Sequence, residues 1–266
     1  MKHTILGAIC LSLAASIWGG MYVVSKYVLD FIPPLTLVWL RFIIAFVVLY
    51  GILKLAEKKQ KKKVTIRKKD WLLFAWIGFI GYFISITCQF IGTKLSDAHT
   101  GSLVTSATPA FMVIFAALIL KEKLTARRLL STIIATIGVI IVIGWDIEIG
   151  SYFIGTIILV GAAITWALLS IYVKIASIQF SSLVITTYAI FFSLFFITPF
   201  MIWELQTSSI GTVNTYVILG VLYLGIVSTA GAFFLWNKGL ELIDASIGSL
   251  FSSSNLLLDH YLAGSY

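Results

Sequence analysis

Long apolar runs, separated by short polar segments, extend over most of the chain. Eight of these runs approach or exceed the about 20 residues that a helix needs to cross a bilayer. They lie at 4–25, 32–53, 71–93, 99–120, 129–145, 151–173, 181–203 and 214–237. A ninth run begins near Ala245 and loses its apolar character at Asp259. The pattern predicts an all-α polytopic membrane protein with a short fifth span and an incomplete ninth span.

Composition agrees with this pattern. The 266 residues are 60% hydrophobic and 11% charged, with a mean hydropathy of +1.04, whereas a soluble domain is about 45–50% apolar and about 25% charged. These values exclude a soluble enzyme, a secreted disulfide scaffold and a disordered protein. Cys10 and Cys88 lie inside apolar runs and match no metal or redox spacing. We therefore expect no metal and no cofactor.

The basic residues are concentrated in one place. Of the 19 Lys and Arg, nine lie between Lys54 and Lys69. Such a run beside an apolar span is a topology signal and favours contact with anionic lipid, not nucleic acid. With the N-terminus inside, 16 of the 19 fall on or near the inner side, and the exceptions are Lys26, Arg41 and Lys94. The sequence predicts a multi-pass protein of the cell (inner) membrane with a cytoplasmic N-terminus.

The chain also matches itself at an offset of 148 residues, and further along at 147. The matched positions include Gly7 with Gly155, Trp18 with Trp166, Lys26 with Lys174, and the DAxxGSL segments at 97–103 and 244–250. This predicts two repeats, 1–148 and 149–266, each built on a five-helix unit. Because five is odd, the second repeat enters the membrane from the opposite face. Inverted repeats of this kind are typical of secondary transporters.

Several segments carry a family resemblance. They are the early tryptophans in AASIWGGMYVVSK and GAAITWALLSIYVK, LRF at 40–42, and KLSDAHTGSLVTSATPAFMVIFAALILKEKLT at 94–125. On these residues the chain resembles the EamA-type members of the drug/metabolite transporter superfamily. The resemblance implies two five-helix repeats with ten spans in all. It also implies an inner-membrane carrier, often an exporter, of small solutes such as amino acids and other metabolites. The fold itself identifies no solute.

The C-terminal segment departs from the repeat. A proline is expected at position 256, where Leu256 stands, and the residues SSSNLLLDHYLAGSY replace the rest of span nine and span ten. We expect a C-terminally truncated or frame-shifted member, because codons can be chosen for this segment that give an apolar, proline-containing span in another frame. A natural alternative terminus and an artificial end are the other readings. A chain without these helices is expected to fold poorly or transport weakly.

Polar and aromatic residues inside the spans are the candidates for substrate binding. Arg41 is either an anion anchor for a solute carboxylate or phosphate, or a structurally paired arginine. Trp18 and Trp166 either line a cavity or pack between helices, and Tyr22 lies one turn from Trp18. Each pair of readings stays open at the level of sequence.

The remaining candidates are uncharged. Gln89 and Asn237 either bind solute or hydrogen-bond between helices. Thr105 precedes Pro109, and two readings are open for this segment. Its hydroxyl groups either hydrogen-bond the carbonyls that a proline kink leaves free, or the kinked helix lines the solute path. Gly78, like nearby Gly81, is expected to permit close helix packing.

Three functions compete. The first is a secondary transporter, in the exporting direction, that works by alternating access. The second is a non-transporting truncated fragment of such a carrier. The third is a membrane-embedded enzyme, which has little support because no HExxH or GxSxG motif occurs. No acidic residue lies deep in a span, which favours facilitated export or exchange over proton coupling through a carboxylate. The expected partners are a small-molecule solute and the lipid bilayer, and a homo-oligomer is compatible with the sequence.

Overall fold

Seven long apolar helices make up the part of the chain that the structure describes. The computed structural model describes residues 2–61, 64–122 and 150–243, together with positions 130, 133, 134 and 137. Within them, all seven helices are long and apolar enough to cross a membrane. They are α1 (Lys2–Leu29), α2 (Pro34–Gln60), α3 (Lys68–Leu95), α4 (Ala98–Ile119), α5 (Ser151–Ala176), α6 (Ser182–Thr207) and α7 (Thr215–Leu242). The described residues contain no strand. The prediction of an all-helical, multi-pass protein is confirmed, while the spans predicted at 129–145 and near Ala245 lie outside the described residues.

Local chemistry determines where several helices begin. α2 starts at Pro34, since proline suits the first turn, where its missing N–H has no partner to lose. α4 follows Asp97, whose carboxylate accepts a hydrogen bond from the Thr100 backbone N–H at 2.8 Å. Asn214 precedes α7 and accepts from the Val217 N–H at 2.9 Å. Both are N-caps of the ordinary kind.

The helices recur at a constant spacing. α1, α2 and α3 end at residues 29, 60 and 95, and α5, α6 and α7 end at residues 176, 207 and 242. Each of these pairs differs by 147 residues. α3 and α7 also share an unusual feature, because each contains a π-helical segment, at Gly78–Ser85 and at Tyr223–Gly231. Helix length and internal irregularity therefore repeat along the described chain.

Two matched glycine contacts fix the directions of four helices. A Cβ added to Gly155, near the start of α5, would lie 2.9 Å from the carbonyl oxygen of Gly92, near the end of α3. A Cβ added to Gly239, near the end of α7, would lie 3.1 Å from the carbonyl oxygen of Gly7, near the start of α1. Further along the same pairs, Gly81 of α3 lies against Leu169 of α5, and Gly220 of α7 lies against Val28 of α1. α5 is therefore antiparallel to α3, and α7 to α1. Glycine at these positions lets the backbones approach closely, as is common between membrane helices.

α2 and α6 pack against each other as a third antiparallel pair. Glu204, near the end of α6, accepts hydrogen bonds from the backbone N–H groups of Leu35 at 3.1 Å and Thr36 at 2.7 Å. The Thr36 hydroxyl adds a third bond at 2.9 Å. A carboxylate at this place satisfies free N–H groups and is attracted by the positive end of the helix dipole. Glu204 therefore ties the start of α2 to the end of α6.

Large apolar side chains cover much of the exterior. Those with more than half of their surface exposed include Leu72, Leu118, Ile178, Phe195, Trp203 and Tyr216. Soluble proteins rarely expose apolar area on this scale. A hydrocarbon environment around the helices accounts for it, since it requires no polar exterior.

Candidate functional site

A cavity lies where α1, α3, α4, α5 and α7 meet, near the middle of their lengths. It has about 450 Å³ of empty space, counting the part that opens outward. Aromatic and apolar groups form one part of the lining, at Trp18, Met21, Ile86, Ala162, Trp166 and Phe233. Hydrogen-bonding groups form the other, at Tyr22, Ser85, Gln89, Thr105 and Thr108. The cavity therefore brings together Trp18, Tyr22, Gln89, Thr105 and Trp166 of the predicted residues.

The two matched tryptophans meet at the cavity. The rings of Trp18 and Trp166 are perpendicular, with centroids 5.2 Å apart, and edge-to-face contacts of this kind are favourable. Phe233 packs against both, at 5.9 Å and 5.3 Å. The indole N–H of Trp18 donates to the carbonyl oxygen of Ser228 at 3.0 Å. The two tryptophans therefore line the cavity and pack between helices at the same time.

A hydrogen-bonded ladder forms the polar side. The Thr105 hydroxyl donates to the Gly101 carbonyl oxygen at 2.7 Å. Its single proton is thereby used, so the Tyr22 hydroxyl donates to Thr105 Oγ1 across 2.6 Å. Gln89 Nε2 in turn donates to Tyr22 Oη at 2.7 Å. This order of donors leaves Gln89 Oε1 as an acceptor, and that atom has no hydrogen-bond partner among the described residues.

The positions matching Gln89 and Tyr22 in the later helices hold different residues. Trp236 stands 147 residues after Gln89, and Ser170 stands 148 after Tyr22. Their side chains repeat the contact, because Trp236 Nε1 donates to Ser170 Oγ at 3.2 Å. Trp236 is fully buried and packs against Trp18 with ring centroids 5.4 Å apart. The contact of Gln89 with Tyr22 is thus formed by polar groups that line the cavity. In the matching contact with Ser170, the indole of Trp236 replaces the amide, and neither residue is in the lining.

Pro109 acts on the shape of α4. The helix is interrupted between Ala98–Thr105 and Thr108–Ile119, and the buried Pro109 lies in the first turn of the second part. Proline has no N–H to donate to the carbonyl oxygen four residues earlier. The Thr108 hydroxyl donates to that oxygen, of Thr105, at 2.6 Å. Pro109 is not in the cavity lining, but Thr105 and Thr108 on either side of the break are.

Arg41 lies behind the cavity wall and not in its lining. Its side chain is fully buried. Nε donates to Thr229 Oγ1 at 2.7 Å and Nη2 to Ser228 Oγ at 3.3 Å. The guanidinium carbon lies 4.9 Å from the centre of the Phe90 ring, a favourable cation–π distance. The ion pairs found among the described residues do not include Arg41.

Asn237 is also placed away from the cavity. It is fully buried, and its Nδ2 donates to Tyr82 Oη at 2.9 Å and to Thr186 Oγ1 at 2.7 Å. These bonds link α7 to α3 and α6. The arrangement is the interhelical bonding that the sequence offered as one of two readings.

Several lining residues are not apparent from the sequence. Met21 and Phe233 sit in apolar runs, where a cavity-facing side chain looks like a lipid-facing one. Ser85 donates to the Ala162 carbonyl oxygen at 2.8 Å, a use that single serines in apolar helices often have. Two signals were available. Met21 follows Trp18 by one helical turn, and Phe233 stands 147 residues after Ile86.

Among the described residues, those that line the cavity include no acidic side chain. Within the described ranges, no group of His, Cys, Asp and Glu side chains is arranged to hold a metal ion. The site instead combines aromatic surfaces with neutral hydrogen-bonding groups. Such a site suits the reversible binding of a small molecule.

Several known proteins that are similar to this chain are named as transporters. The uncharacterized transporter YetK of Bacillus subtilis (strain 168) is 28% identical over 249 residues, which are 92% of this chain and 74% of that protein. A probable amino-acid metabolite efflux pump of Escherichia coli (strain K12) is 25% identical over 95% of this chain and 87% of its own. A similarly named protein of Salmonella typhimurium is 26% identical over 84% of this chain and 74% of its own. These names describe transporters and not enzymes.

The fold and the family agree as well. One solved crystal structure superposes with a TM-score of 0.73 at 19% identity, covering 100% of this chain and 89% of its own. The model of the EamA-like transporter family matches residues 5–144 and again residues 153–263. The match covers nearly the whole sequence, and the helices have the length and composition of membrane spans. The chain is a multi-pass membrane protein that belongs to the EamA-like transporter family.

Proposed function

We propose that this protein is a secondary transporter that exports small metabolites, with amino acids as the leading class, by alternating access. The observation that carries the proposal is the cavity at mid-depth, which is lined by α1, α3 and α4 together with α5 and α7. Secondary transporters bind solute near the bilayer midplane, between two repeats. The relatives named as amino-acid metabolite efflux pumps support the solute class and the direction.

The proposed architecture is an inverted pair of five-span repeats, 1–148 and 149–266, of the ten-span type. Three observations support it. The helix ends recur after 147 residues, the family model matches twice, and the glycine contacts make α1 antiparallel to α7 and α5 antiparallel to α3. Trp18 and Trp166 then meet where the repeats cross. Rocking of one repeat against the other would expose the cavity to each side in turn.

The cavity chemistry fits an amino acid. Gln89 Oε1 lacks a partner among the described residues, and a solute ammonium group would satisfy it. Burying an unmatched amide oxygen is costly, so this bond favours a solute that carries a donor. Trp18 and Trp166 offer flat surfaces for the rest of the molecule. The part of the lining that the structure describes has no carboxylate that could carry a proton, which fits facilitated export or exchange.

The proposed orientation places the N-terminus and the basic run 54–69 in the cytoplasm. Lys59 is exposed at the end of α2, so a cysteine replacing it reports the side. In a variant without Cys10 and Cys88, Lys59→Cys should resist a membrane-impermeant maleimide in intact cells and react after lysis. Labelling in intact cells would reverse the orientation.

Transport itself is tested with purified protein in vesicles. Vesicles preloaded with single radiolabelled amino acids should release one or a few of them faster than protein-free vesicles. Gln89→Leu should reduce this release, whereas Gly51→Ala, at a position where an added Cβ meets nothing within 4 Å, should retain it. Release at the protein-free rate for every amino acid would contradict the proposed solute class. In cells fed dipeptides, export predicts that the transported amino acid accumulates outside.

A further inference from the structure

Arg41 is the one basic side chain buried beside the cavity wall, among the residues that the structure describes. A guanidinium has five N–H donors. Two of its nitrogens donate to hydroxyl oxygens, those of Thr229 and Ser228. A buried charge without an anionic partner is costly in a membrane protein and usually marks a functional position.

The outer edge of this guanidinium faces a sulfur atom. Nη1 and Nη2 both lie 3.8 Å from Sδ of Met21. A pair of terminal nitrogens converging on one group is the geometry with which arginine binds a carboxylate through two parallel hydrogen bonds. A thioether is only a weak acceptor. The sulfur therefore occupies the place of an anion without supplying a comparable interaction.

Met21 also forms part of the cavity wall. The Met21 side chain thus lies between the cavity and the guanidinium. Methionine is unbranched and has three rotatable bonds, so its end can move without backbone change. Phe233 also lies between the two regions. It lines the cavity, and the centre of its ring is 5.9 Å from the Arg41 guanidinium carbon.

We propose that Met21 is a gate over an anion subsite, and that Arg41 binds the carboxylate of the solute once the Met21 side chain turns away. The inference rests on the proposed transport function and specifies its substrate class. Gln89 Oε1 offers an acceptor on the cavity lining, and Arg41 adds donors behind Met21. A cavity with both suits a zwitterion whose ammonium and carboxylate groups bind at different places.

The subsite is tested by labelling, which needs no transport. In a background with Cys10→Ser and Cys88→Ser, Met21→Cys places a thiol at the gate. Two methanethiosulfonate reagents of similar size are compared, the anionic sulfonatoethyl and the cationic trimethylammonioethyl compound. The ratio of the anionic to the cationic reaction rate should be about tenfold higher at this position than at a lining position away from Arg41, because opposite charges attract strongly in a site of low dielectric. Acetate at high concentration should slow it.

Matched variants connect the effect to Arg41. Arg41→Gln should bring the ratio of the two rates close to that of Ser85→Cys, a position in the same lining whose hydroxyl bonds to Ala162. Arg41→Lys should retain most of the preference. If Arg41→Gln does not fold, the comparison of Met21→Cys with Ser85→Cys in otherwise unchanged protein decides the question. Equal ratios at the two positions would overturn the inference, whether or not the vesicles transport amino acids.

Discussion

Lys26 and Lys174, 148 residues apart, make the same kind of contact at the ends of two different helices. Each ammonium group donates hydrogen bonds to backbone carbonyl oxygens at the end of a helix. Lys26 donates to the carbonyl oxygens of Thr93, Lys94 and Ser96 at the end of α3, at 3.3 Å each. Lys174 donates to those of Leu240 and Ile243 at the end of α7, at 2.8 Å each. These carbonyls have no partner within their own helix, and the helix dipole makes this end negative. Lys26 is an exception to the predicted inward placement of the basic residues, and the contact with α3 gives a physical reason for its position.

Removing these lysines should loosen the ends of α3 and α7. We expect Lys26→Met and Lys174→Met each to lower the free energy of unfolding by about 1–2 kcal/mol, because carbonyls bonded to a charged donor lose it. Thermal unfolding of the purified protein measures the change. The control is Lys94→Met, at an exposed side chain. Equal midpoints for Lys26→Met and Lys94→Met would show that the contact adds no stability.

Gly81 has almost no room for a side chain. An added Cβ would overlap the side chain of Leu169 on α5, and one on Gly78 would overlap the Ala189 carbonyl on α6. The expectation that these glycines permit close packing is confirmed. Gly81→Ala should destabilise the protein by about 1–3 kcal/mol, read as a lower unfolding temperature and a smaller monodisperse fraction.

A second substitution separates overlap from other effects of Gly81→Ala. Leu169→Ala removes the overlapping Cγ and Cδ1 atoms, so the double variant should recover part of the loss. Gly51→Ala, which meets nothing within 4 Å, should be neutral or slightly stabilising since alanine favours helix. Destabilisation of Gly51→Ala as large as that of Gly81→Ala would argue against the packing explanation.

The Glu204 carboxylate should contribute through its charge. Glu204→Gln keeps the shape of the side chain but weakens its bonds to Leu35 and Thr36, because bonds to an ionised acceptor are the stronger ones. We expect a loss of about 1–2 kcal/mol in unfolding free energy. Asp30→Asn removes a charge from an exposed side chain and should change stability little. The idea fails if thermal unfolding does not distinguish the two variants.

The ladder on the polar side of the cavity should matter for transport more than for stability. Tyr22→Phe removes the hydroxyl that links Gln89 to Thr105, which frees the amide to turn. We expect kcat/KM for the transported solute to fall about tenfold, the effect of about 1.4 kcal/mol. Ser170→Ala removes the matching link to Trp236 outside the cavity lining. Ser170→Ala should lose stability but keep its kcat/KM. A tenfold fall in kcat/KM for both Tyr22→Phe and Ser170→Ala would refute a specific role for the ladder.

The long helices were predictable because hydropathy over about 20 residues averages out local exceptions. Most of the helices end a few residues beyond the predicted spans, as with α2 at Pro34–Gln60 against a prediction of 32–53. The repeat matches Trp18 with Trp166 in the sequence, and the structure adds that their rings are in contact.

Side-chain partners were harder to foresee. Tyr22 bonds to residues 67 and 83 positions away, and no local pattern indicates such a pairing. The position of Arg41 behind Met21 depends on how α1, α2 and α7 pack. Apolar side chains facing lipid, the core or a cavity also look alike in sequence, because lipid and a packed interior favour the same residue types.

Trp236 fills the place that Gln89 holds on the other side of the molecule, and this substitution gives the cavity a direction. If the matched positions held identical residues, a bound molecule would contact the same groups in either of its two orientations. Here Tyr22, Gln89 and Thr105 stand on one side and indole and phenyl rings on the other. A molecule with one polar and one apolar end then has one favoured orientation in the cavity, so the difference between the matched positions Gln89 and Trp236 distinguishes its two ends.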